Sequence, residues 1–220
     1  GEDEKDHTPW QSSWGFSTRL LGSLIMTHGD DKGLVLPPKM APTKVVIIPI
    51  TVKSKPELSS KVMQVASELK ERLVNAGFDT IFDYRDGYSP GFKYNEWELK
   101  GIPLRIELGP RDVESNSCVL VKRNTNEKIT TKIEDVTCEV GKQLSNMHIE
   151  MLRTAREKVD AMMTTATDYE TFKKLISERK FVTANHCGSE ECEDTIKADT
   201  TGATTRCRPE GKDEDDGPCI

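Results

Sequence analysis

The strongest hydrophobic pattern in the chain is a continuous, mostly β-branched run at residues 45–50, which predicts a strand covered on both faces. The helical spacing of apolar residues from Leu58 to Leu73 predicts an amphipathic helix that begins at Pro56 and ends near Gly77. Further segments predict strands at 79–84, 102–108, 118–121 and 128–133 and a short helix at 94–99. This alternation indicates an α/β layer, parallel at its centre, with an antiparallel hairpin at one edge.

The pattern changes on both sides of this central block. Before it, the apolar run from Leu20 to Met26 predicts a buried helix that ends near Gly29. After it, a helix from about Val140 to Met163 has one apolar face, and a helix at 169–176 and a strand at 180–182 follow. We therefore predict three parts, at residues 1–42, 43–138 and 139–220.

Composition limits the classes of protein that remain. The chain has 220 residues, of which 35% are hydrophobic and 31% are charged, and its net charge is −6. No apolar run approaches the ~18 residues that a membrane span needs. The negative charge argues against a purely electrostatic grip on nucleic acid, although it leaves a local basic face open. We expect a soluble, cytoplasmic protein with no membrane partner.

Trp14 to Arg19 is the most informative segment, because it has the pattern of a short strand that carries a glycine and leads into a helix. Gly15 has no Cβ, so a flat ring can lie against its backbone. Arg19 has a planar, permanently charged group that can stack on a base or clamp a phosphate. Together they predict a nucleotide site, with the Arg19 guanidinium over a purine and an open cleft beside Trp14.

The cysteines fall into two groups. Cys118 and Cys138 lie in apolar segments, where we expect ordinary buried thiols, whereas the other four lie in the last 34 residues. Cys187 and Cys192 are spaced so that two thiolates can bind one tetrahedral zinc ion across a turn at Gly188. Candidates for further ligands are Cys219, Cys207 and, less well suited, His186. The alternative is a loop of reduced thiols that bind nothing.

Residues 93–111 interleave positive charges with aromatic rings. The positive residues are Lys93, Lys100, Arg105 and Arg111, and the aromatic residues include Tyr94 and Trp97. Such interleaving suits unstacked RNA bases, and carboxylates such as Glu96 and Glu98 could accept hydrogen bonds from guanine. The alternative is a solvated helix face with Trp97 in the core.

Three of these segments together resemble one enzyme family. Residues 12–19, followed by 26–38, are similar to motif 3 and its exit in class II aminoacyl-tRNA synthetases, and specifically in prolyl-tRNA synthetases of the archaeal and eukaryotic type. Residues 97–112 are similar to the anticodon-binding domain of that family, and residues 187–192 to the first half of its C-terminal zinc site. The segments follow the family's order and span nearly the whole chain.

The resemblance implies an α/β fold in three parts: the end of a class II antiparallel catalytic sheet as a strand plus a helix, a mixed α/β anticodon-binding domain, and a small α+β zinc-binding C-terminal domain. It implies a ligase that uses ATP and Mg²⁺ to activate proline as prolyl-adenylate and transfers it to tRNA(Pro). Arg19 would be the catalytic residue that binds ATP, with Ser17 beside it. The residues that would line the proline pocket are Ser13, Trp14 and Gly15.

The resemblance also assigns the remaining sites. Glu98, Lys100 and Arg111 would contact the guanines of the proline anticodon. A structural Zn²⁺ would be bound by Cys187, Cys192 and Cys219. The position of Cys207 is usually not a ligand in the family, so we expect Cys207 to take part only if the site rearranges. The intact enzyme would be a homodimer.

Parts of the family pattern have no counterpart in this sequence. Motifs 1 and 2, which precede motif 3 and include a second ATP-binding arginine, are missing, and one cysteine of the second zinc pair is missing after Cys219. We therefore expect the C-terminal part of the enzyme, inactive on its own. The alternatives are a non-catalytic tRNA- or RNA-binding module and a related class II synthetase for threonine or glycine.

Overall fold

The structure, a computed structural model, describes residues 11–52, 54–207 and 219–220 and divides in sequence into two compact units between Met151 and Leu152. Up to that division the elements are α1 (Arg19–His28), β1 (Val45–Pro49), α2 (Pro56–Asn75), β2 (Thr80–Phe82), α3 (Pro90–Leu99), β3 (Leu104–Leu108), α4 (Pro110–Glu114), β4 (Ser117–Lys122), β5 (Lys128–Lys132) and α5 (Val136–Met162), which spans the division. The elements after α5 are β6 (Met163–Thr165), α6 (Tyr169–Ser177), β7 (Phe181–Thr183) and α7 (Glu190–Asp199).

A five-stranded sheet with the order β2-β1-β3-β4-β5 is the centre of the first unit. β1 pairs in parallel with β2 and β3, whereas β3, β4 and β5 form an antiparallel meander. The parallel pairs need crossovers, and α2 and α3 lie in the two connections. The predicted parallel centre with an antiparallel edge is confirmed.

The main core lies on one face of this sheet. Val45 and Ile47 of β1 point into it, and α2 and α5 contribute residues such as Leu69 and Val140. Val46 and Ile48, which alternate with them, are also fully buried on the other face. The prediction that this strand is covered on both faces is therefore confirmed. Each fully buried Ile or Leu side chain contributes roughly 1.5–3 kcal/mol relative to an exposed one.

The other face of the sheet is only partly covered, and this positions the candidate site. Alternation along β3 points Arg105 and Glu107 away from the main core, because Leu104, Ile106 and Leu108 belong to it. Ile129 of β5 packs on the core side, which leaves Lys128 on the opposite face, with Val121 between it and Arg105. α3 lies beside β1. The face formed by β3, β4 and β5 therefore carries polar side chains next to α3.

Two predictions for the N-terminal part are wrong. The predicted helix exists as α1 and ends at His28, with Gly29 at its C-cap, but none of its residues is buried. Residues 11–17 form no regular structure, so the predicted strand from Trp14 to Arg19 is not present in the described part of the chain. A strand needs a neighbour to pair its backbone groups, and none of the strands in the described part of the chain pairs with this segment.

The unit that begins at Leu152 contains one parallel strand pair, β6 with β7. A small core of Ala166, Phe172 and Ile196 joins this pair to α6 and α7. Neither β6 nor α7 is predicted from the pattern, because β6 has three residues and α7 is strongly polar. Ser189 at the N-cap and the acidic first turn of α7 are the signals that could have located this helix.

Cys118 and Cys138, the two cysteines outside the C-terminal group, differ in burial. Cys118 is fully buried in the main core, and burial raises the pKa of its thiol to about 12. Cys138 is exposed on α5, so the prediction that it is buried is wrong. Within the described residues, no helix is both long enough and apolar enough for a transmembrane span.

Candidate nucleic-acid interface and metal centre

Five residues form the candidate nucleic-acid interface, which we call the Arg105 cluster: Tyr94, Glu98, Arg105, Glu107 and Lys128. Arg105 donates hydrogen bonds to Glu98 at 2.9 Å and to Glu107 at 3.0 Å. Its guanidinium carbon lies 4.2 Å from the centre of the Tyr94 ring. Lys128 lies 3.6 Å from Glu107. One guanidinium is thus held between two carboxylates and an aromatic ring.

Local sequence explains how α3 presents this cluster. The Ser89 side chain accepts a hydrogen bond from the backbone N–H of Phe92 at 3.2 Å, and Pro90 occupies the first turn, so the helix starts at a defined residue. Tyr94 and Glu98 are four residues apart and therefore lie on the same side of the helix. That side faces β3 and its Arg105.

The cluster has the chemistry that guanine recognition requires. Carboxylates accept hydrogen bonds from the amino and imino groups of guanine, and Lys and Arg donate to its O6 and N7 atoms. Burial, with the nearby Glu107 carboxylate, raises the pKa of Tyr94 to about 12, so its ring stays neutral and available for stacking. The ion pairs of Arg105 with Glu98 and Glu107 are only slightly exposed, so their geometry is preorganised.

A second cluster, between α3 and the segment after β2, has a structural role. Asp83, whose side chain is 1% exposed, accepts hydrogen bonds from Trp97 at 2.8 Å and from Arg85 at 2.7 and 2.9 Å. The ammonium of Lys93 donates to the Asp83 carbonyl at 3.0 Å. Burial alone would raise the pKa of Asp83, but the hydrogen bonds from Arg85 and Trp97 hold it well below its usual range. Lys93 and Trp97 are therefore held by contacts within the protein.

The residues predicted to bind the anticodon do not all meet. Glu98 lies in the Arg105 cluster, whereas Lys100 pairs with Glu96 at 2.7 Å and lies over the Trp97 ring. Arg111 is exposed on α4. Their roles stay predictions. Glu107 and Lys128 were missed, and the alternation along β3 and β5 is the signal that could have placed them on one face.

The residues predicted to bind the nucleotide and the proline substrate are exposed in this structure. Ser13, Trp14, Gly15, Ser17 and Arg19 all lie on the surface, and the Trp14 side chain is 92% exposed. Nothing lies within 4 Å of the position that a Cβ on Gly15 would occupy. The expected cleft beside Trp14 is therefore absent from the described residues, and the roles of these five residues stay predictions.

The candidate metal centre consists of Cys187, Cys192 and Cys219, whose sulfur atoms lie within 4.8 Å of one another. Cys187 Sγ and Cys192 Sγ are 3.3 Å apart. Tetrahedral zinc with bonds of about 2.3 Å places its sulfur ligands about 3.8 Å apart, so small side-chain movements suffice to fit the ion. The backbone N–H of Ile220 donates to the Asn185 carbonyl at 3.3 Å, which holds Cys219 beside the pair.

The electrostatics of this trio favour a thiolate at Cys187. The backbone N–H of Ser189 and the neighbouring thiols lower the pKa of Cys187, and the interaction with Cys187 raises the pKa of Cys192 to about 11. Cys207 is exposed and lies outside the trio. The Nδ1 atom of His186 instead accepts a hydrogen bond from the Gly188 backbone N–H at 3.0 Å. Of the candidate third ligands, Cys219 is the one that joins the pair.

Comparisons with known proteins match two stretches of the chain. A family described as the anticodon binding domain matches residues 44–143, and a family described as prolyl-tRNA synthetase, C-terminal, matches residues 169–220. A proline--tRNA ligase of Cenarchaeum symbiosum is 42% identical over 219 residues, covering 100% of this chain and 45% of that protein. A proline--tRNA ligase of Lachnoclostridium phytofermentans is 44% identical over 211 residues, covering 96% of this chain and 42% of that protein.

A longer relative also matches. The bifunctional glutamate/proline--tRNA ligase of Drosophila melanogaster is 39% identical over 201 residues, which are 90% of this chain and 12% of that protein. The chain spans less than half the length of these relatives. Two family matches in order, and relatives that align with nearly the whole chain, confirm the resemblance drawn from its motifs: the chain belongs to the prolyl-tRNA synthetase family.

Proposed function

We propose that this chain is the anticodon-binding and C-terminal part of a proline–tRNA ligase that activates proline with ATP and transfers it to tRNA(Pro). The Arg105 cluster is the observation that carries the proposal, because it combines donors, acceptors and a stacking ring on the partly covered face of the sheet. The whole-length similarity to proteins named as proline--tRNA ligases supports the same substrate. The enzyme acts in the cytoplasm as a homodimer.

In this function the Arg105 cluster recognises the guanines of the anticodon. Glu98 and Glu107 accept hydrogen bonds from the base edges, and Lys128 donates to them or to a phosphate. Tyr94 and Arg105 offer a flat surface on which a base can stack. The exposed side chains of Lys100 and Arg111 lie on neighbouring elements and add positive charge for the backbone of the RNA.

The chemical step takes place at the other end of the proposed enzyme. The proline carboxylate attacks the α-phosphorus of ATP, so the protein has to position the reactants and stabilise negative charge. Arg19 and Ser17 bind the nucleotide there, and Ser13, Trp14 and Gly15 line the proline pocket. Mg²⁺ would supply charge neutralisation at the phosphates when bound. The exposure of these side chains leaves them accessible to ligands.

Zn²⁺ would have a structural role in the C-terminal part. Cys187, Cys192 and Cys219 supply soft sulfur ligands, which suit zinc, and they link the start of α7 to the end of the chain. The small core around Phe172 provides little apolar burial, so a cross-link here would add stability to the fold.

Two measurements on the full-length gene product test the proposal. The first is amino-acid-dependent ATP–pyrophosphate exchange across proline, threonine and glycine, in which we expect exchange with proline alone. Arg19→Ala should abolish that exchange, and an unchanged rate would contradict the role of Arg19. The second is filter binding of tRNA(Pro) against the same tRNA with altered anticodon guanines, and equal affinities would contradict anticodon recognition.

A non-catalytic tRNA-binding module is the second candidate. The observation that favours it is the exposed, strandless segment before α1, which forms no catalytic pocket within the described residues. Anticodon-dependent binding without any proline-dependent exchange would select this candidate. Exchange that depends on threonine or glycine would select a related synthetase.

A further inference from the structure

Arg123 joins two parts of the chain that lie far apart in sequence. Its Nη1 and Nη2 atoms donate to the two carboxylate oxygens of Asp30 at 2.7 and 2.6 Å, across 93 residues. Its Nε atom donates to the backbone carbonyl of Glu98 at 2.9 Å. The Arg123 side chain is 2% exposed. The whole guanidinium fork is therefore used to hold the turn after α1 against the end of α3.

A second set of contacts fixes the same junction. The backbone N–H of Leu34 donates to the Leu99 carbonyl at 3.1 Å. A Cβ on Gly33 would lie 2.6 Å from Leu99 Cα, and a Cβ on Gly101 would lie 2.6 Å from Leu34 Cβ. Since both glycines have positive φ values and closely packed surroundings, the junction has no room to slide.

The chain is also anchored on the far side of this junction. Val35 is buried in a cluster with Met147 and Met151 of α5. Residues 30–35 are thus held by contacts with α3, with Arg123 after β4 and with α5. Their own backbone forms no regular element apart from the bridge between Asp30 and Gly33. A segment fixed at so many points transmits displacement of either end rather than absorbing it.

The position of the junction suggests its use. Asp30 follows α1, whose first residue is Arg19, and Glu98 contacts Arg105 through its side chain while its backbone carbonyl accepts from Arg123. We propose that Asp30 and Arg123 are positioning residues that couple the Arg105 cluster to the nucleotide end of the chain. This inference rests on the proposed function, because it assigns tRNA to one end and the adenylate to the other.

The coupling is measurable as a ratio of affinities. Binding at one site changes the affinity of the other by a factor that is the same in both directions. We expect a non-hydrolysable sulfamoyl analogue of prolyl-adenylate to change the dissociation constant of tRNA(Pro) from the full-length protein by at least about fivefold, the lower end of typical couplings. In Asp30→Asn the ratio should fall to near one, while each ligand alone binds within about twofold of wild type, because the proposal places neither ligand on Asp30.

Matched variants separate this role from a merely structural one. Asp31→Asn changes an exposed neighbour and should keep the wild-type ratio. Gly33→Ala disturbs the same junction through Leu99 without altering the Asp30 carboxylate and should also lower the ratio. Asp30→Asn is the main variant because the Asp30 side chain is 41% exposed, which makes the exchange easier to accommodate than one at Arg123.

The possible outcomes distinguish a failure of the coupling from a failure of the proposed function. If the wild-type protein binds both ligands with a ratio of one, or if Asp30→Asn keeps the wild-type ratio, the coupling is wrong and the proposed function stands. If Asp30→Asn lowers the affinity for each ligand by the same factor whether or not the other ligand is bound, Asp30 is a stability residue and the proposed coupling is again wrong. If the wild-type protein binds neither ligand, the proposed function fails and this inference fails with it.

Discussion

The guanidinium carbon of Arg105 lies 4.2 Å from the centre of the Tyr94 ring, while the same group donates hydrogen bonds to two carboxylates. A lysine cannot reproduce this arrangement, because its ammonium is a point charge without a planar fork. We predict that Arg105→Lys weakens tRNA(Pro) binding by about 1–3 kcal/mol, which is roughly 5- to 150-fold. Filter binding measures the loss.

The control for this prediction is Arg153→Lys, which makes the same exchange at an exposed position on α5. It should leave the affinity within about twofold of wild type, as expected for an exposed ion pair. A wild-type affinity for Arg105→Lys, with circular dichroism unchanged, would contradict the role of the Arg105 cluster.

The cysteine trio makes a prediction about metal content. Cys187→Ser, Cys192→Ser and Cys219→Ser should each lower the bound zinc well below the roughly one equivalent expected for a structural site. Cys207→Ser is the matched control and should retain the metal, because Cys207 lies outside the trio. Elemental analysis of the purified protein checks this, and less than about a tenth of an equivalent in the wild type would reject the site.

Asp83 makes a prediction about stability and pH. Asp83→Asn removes the charge that compensates Arg85 and the buried Lys93, so we expect a loss of about 2–4 kcal/mol in the free energy of unfolding at pH 7. Because the pKa of Asp83 is lowered in the folded state, its stabilisation is present above the unfolded pKa of about 4 and is lost as the pH falls below that value.

Urea unfolding at pH 7, 4 and 3 tests both parts of this prediction. The difference between wild type and Asp83→Asn should shrink as the pH falls through this range. Asp86→Asn, an exposed exchange in the following loop, should change stability by no more than about 0.5 kcal/mol. A difference between wild type and Asp83→Asn that grows in acid would contradict the sign of the pKa shift.

Substitutions at two glycines separate the cost of a steric clash from the cost of backbone strain. Gly101 and Gly87 both have positive φ values, but only Gly101 has close neighbours, since its Cβ would lie 2.6 Å from Leu34 Cβ. We predict a cost of about 1–2 kcal/mol for Gly87→Ala, from strain alone. Gly101→Ala should cost at least about 1 kcal/mol more, because the junction with Leu34 must open. Thermal or urea unfolding gives both values, and equal costs would contradict the packing argument.

Local pattern predicted the centre of the fold well. The β-branched run became β1, the spacing after Pro56 became α2, and the antiparallel edge appeared as expected, because each depends on residues close in sequence. The helix after Arg19 was also predicted, but its burial was not, because burial depends on what packs against it. The strand before Arg19 failed for the same reason, since a strand is defined by its partner.

The candidate site was predicted only in part, because it depends on pairings between strands. Glu98 was predicted, but Glu107 and Lys128 join it through the register of β3, β4 and β5, which the local pattern does not contain. The contact between Asp30 and Arg123 spans 93 residues and has no local signal at all. The cysteine trio was easier to predict, since the spacing of Cys187 and Cys192 already suggested that they bind one metal ion.

Among the strands that the structure describes, β5 is the outermost on its side of the sheet. Its exposed lysines, Lys128 and Lys132, have a consequence for how the protein behaves at high concentration. Positive side chains on an outer strand prevent another chain from adding its own strand there. The same charges can therefore attract RNA and keep copies of the protein apart. Replacing both lysines with neutral, β-branched residues would promote self-association as well as weaken RNA binding, so aggregation has to be monitored by light scattering in any such experiment.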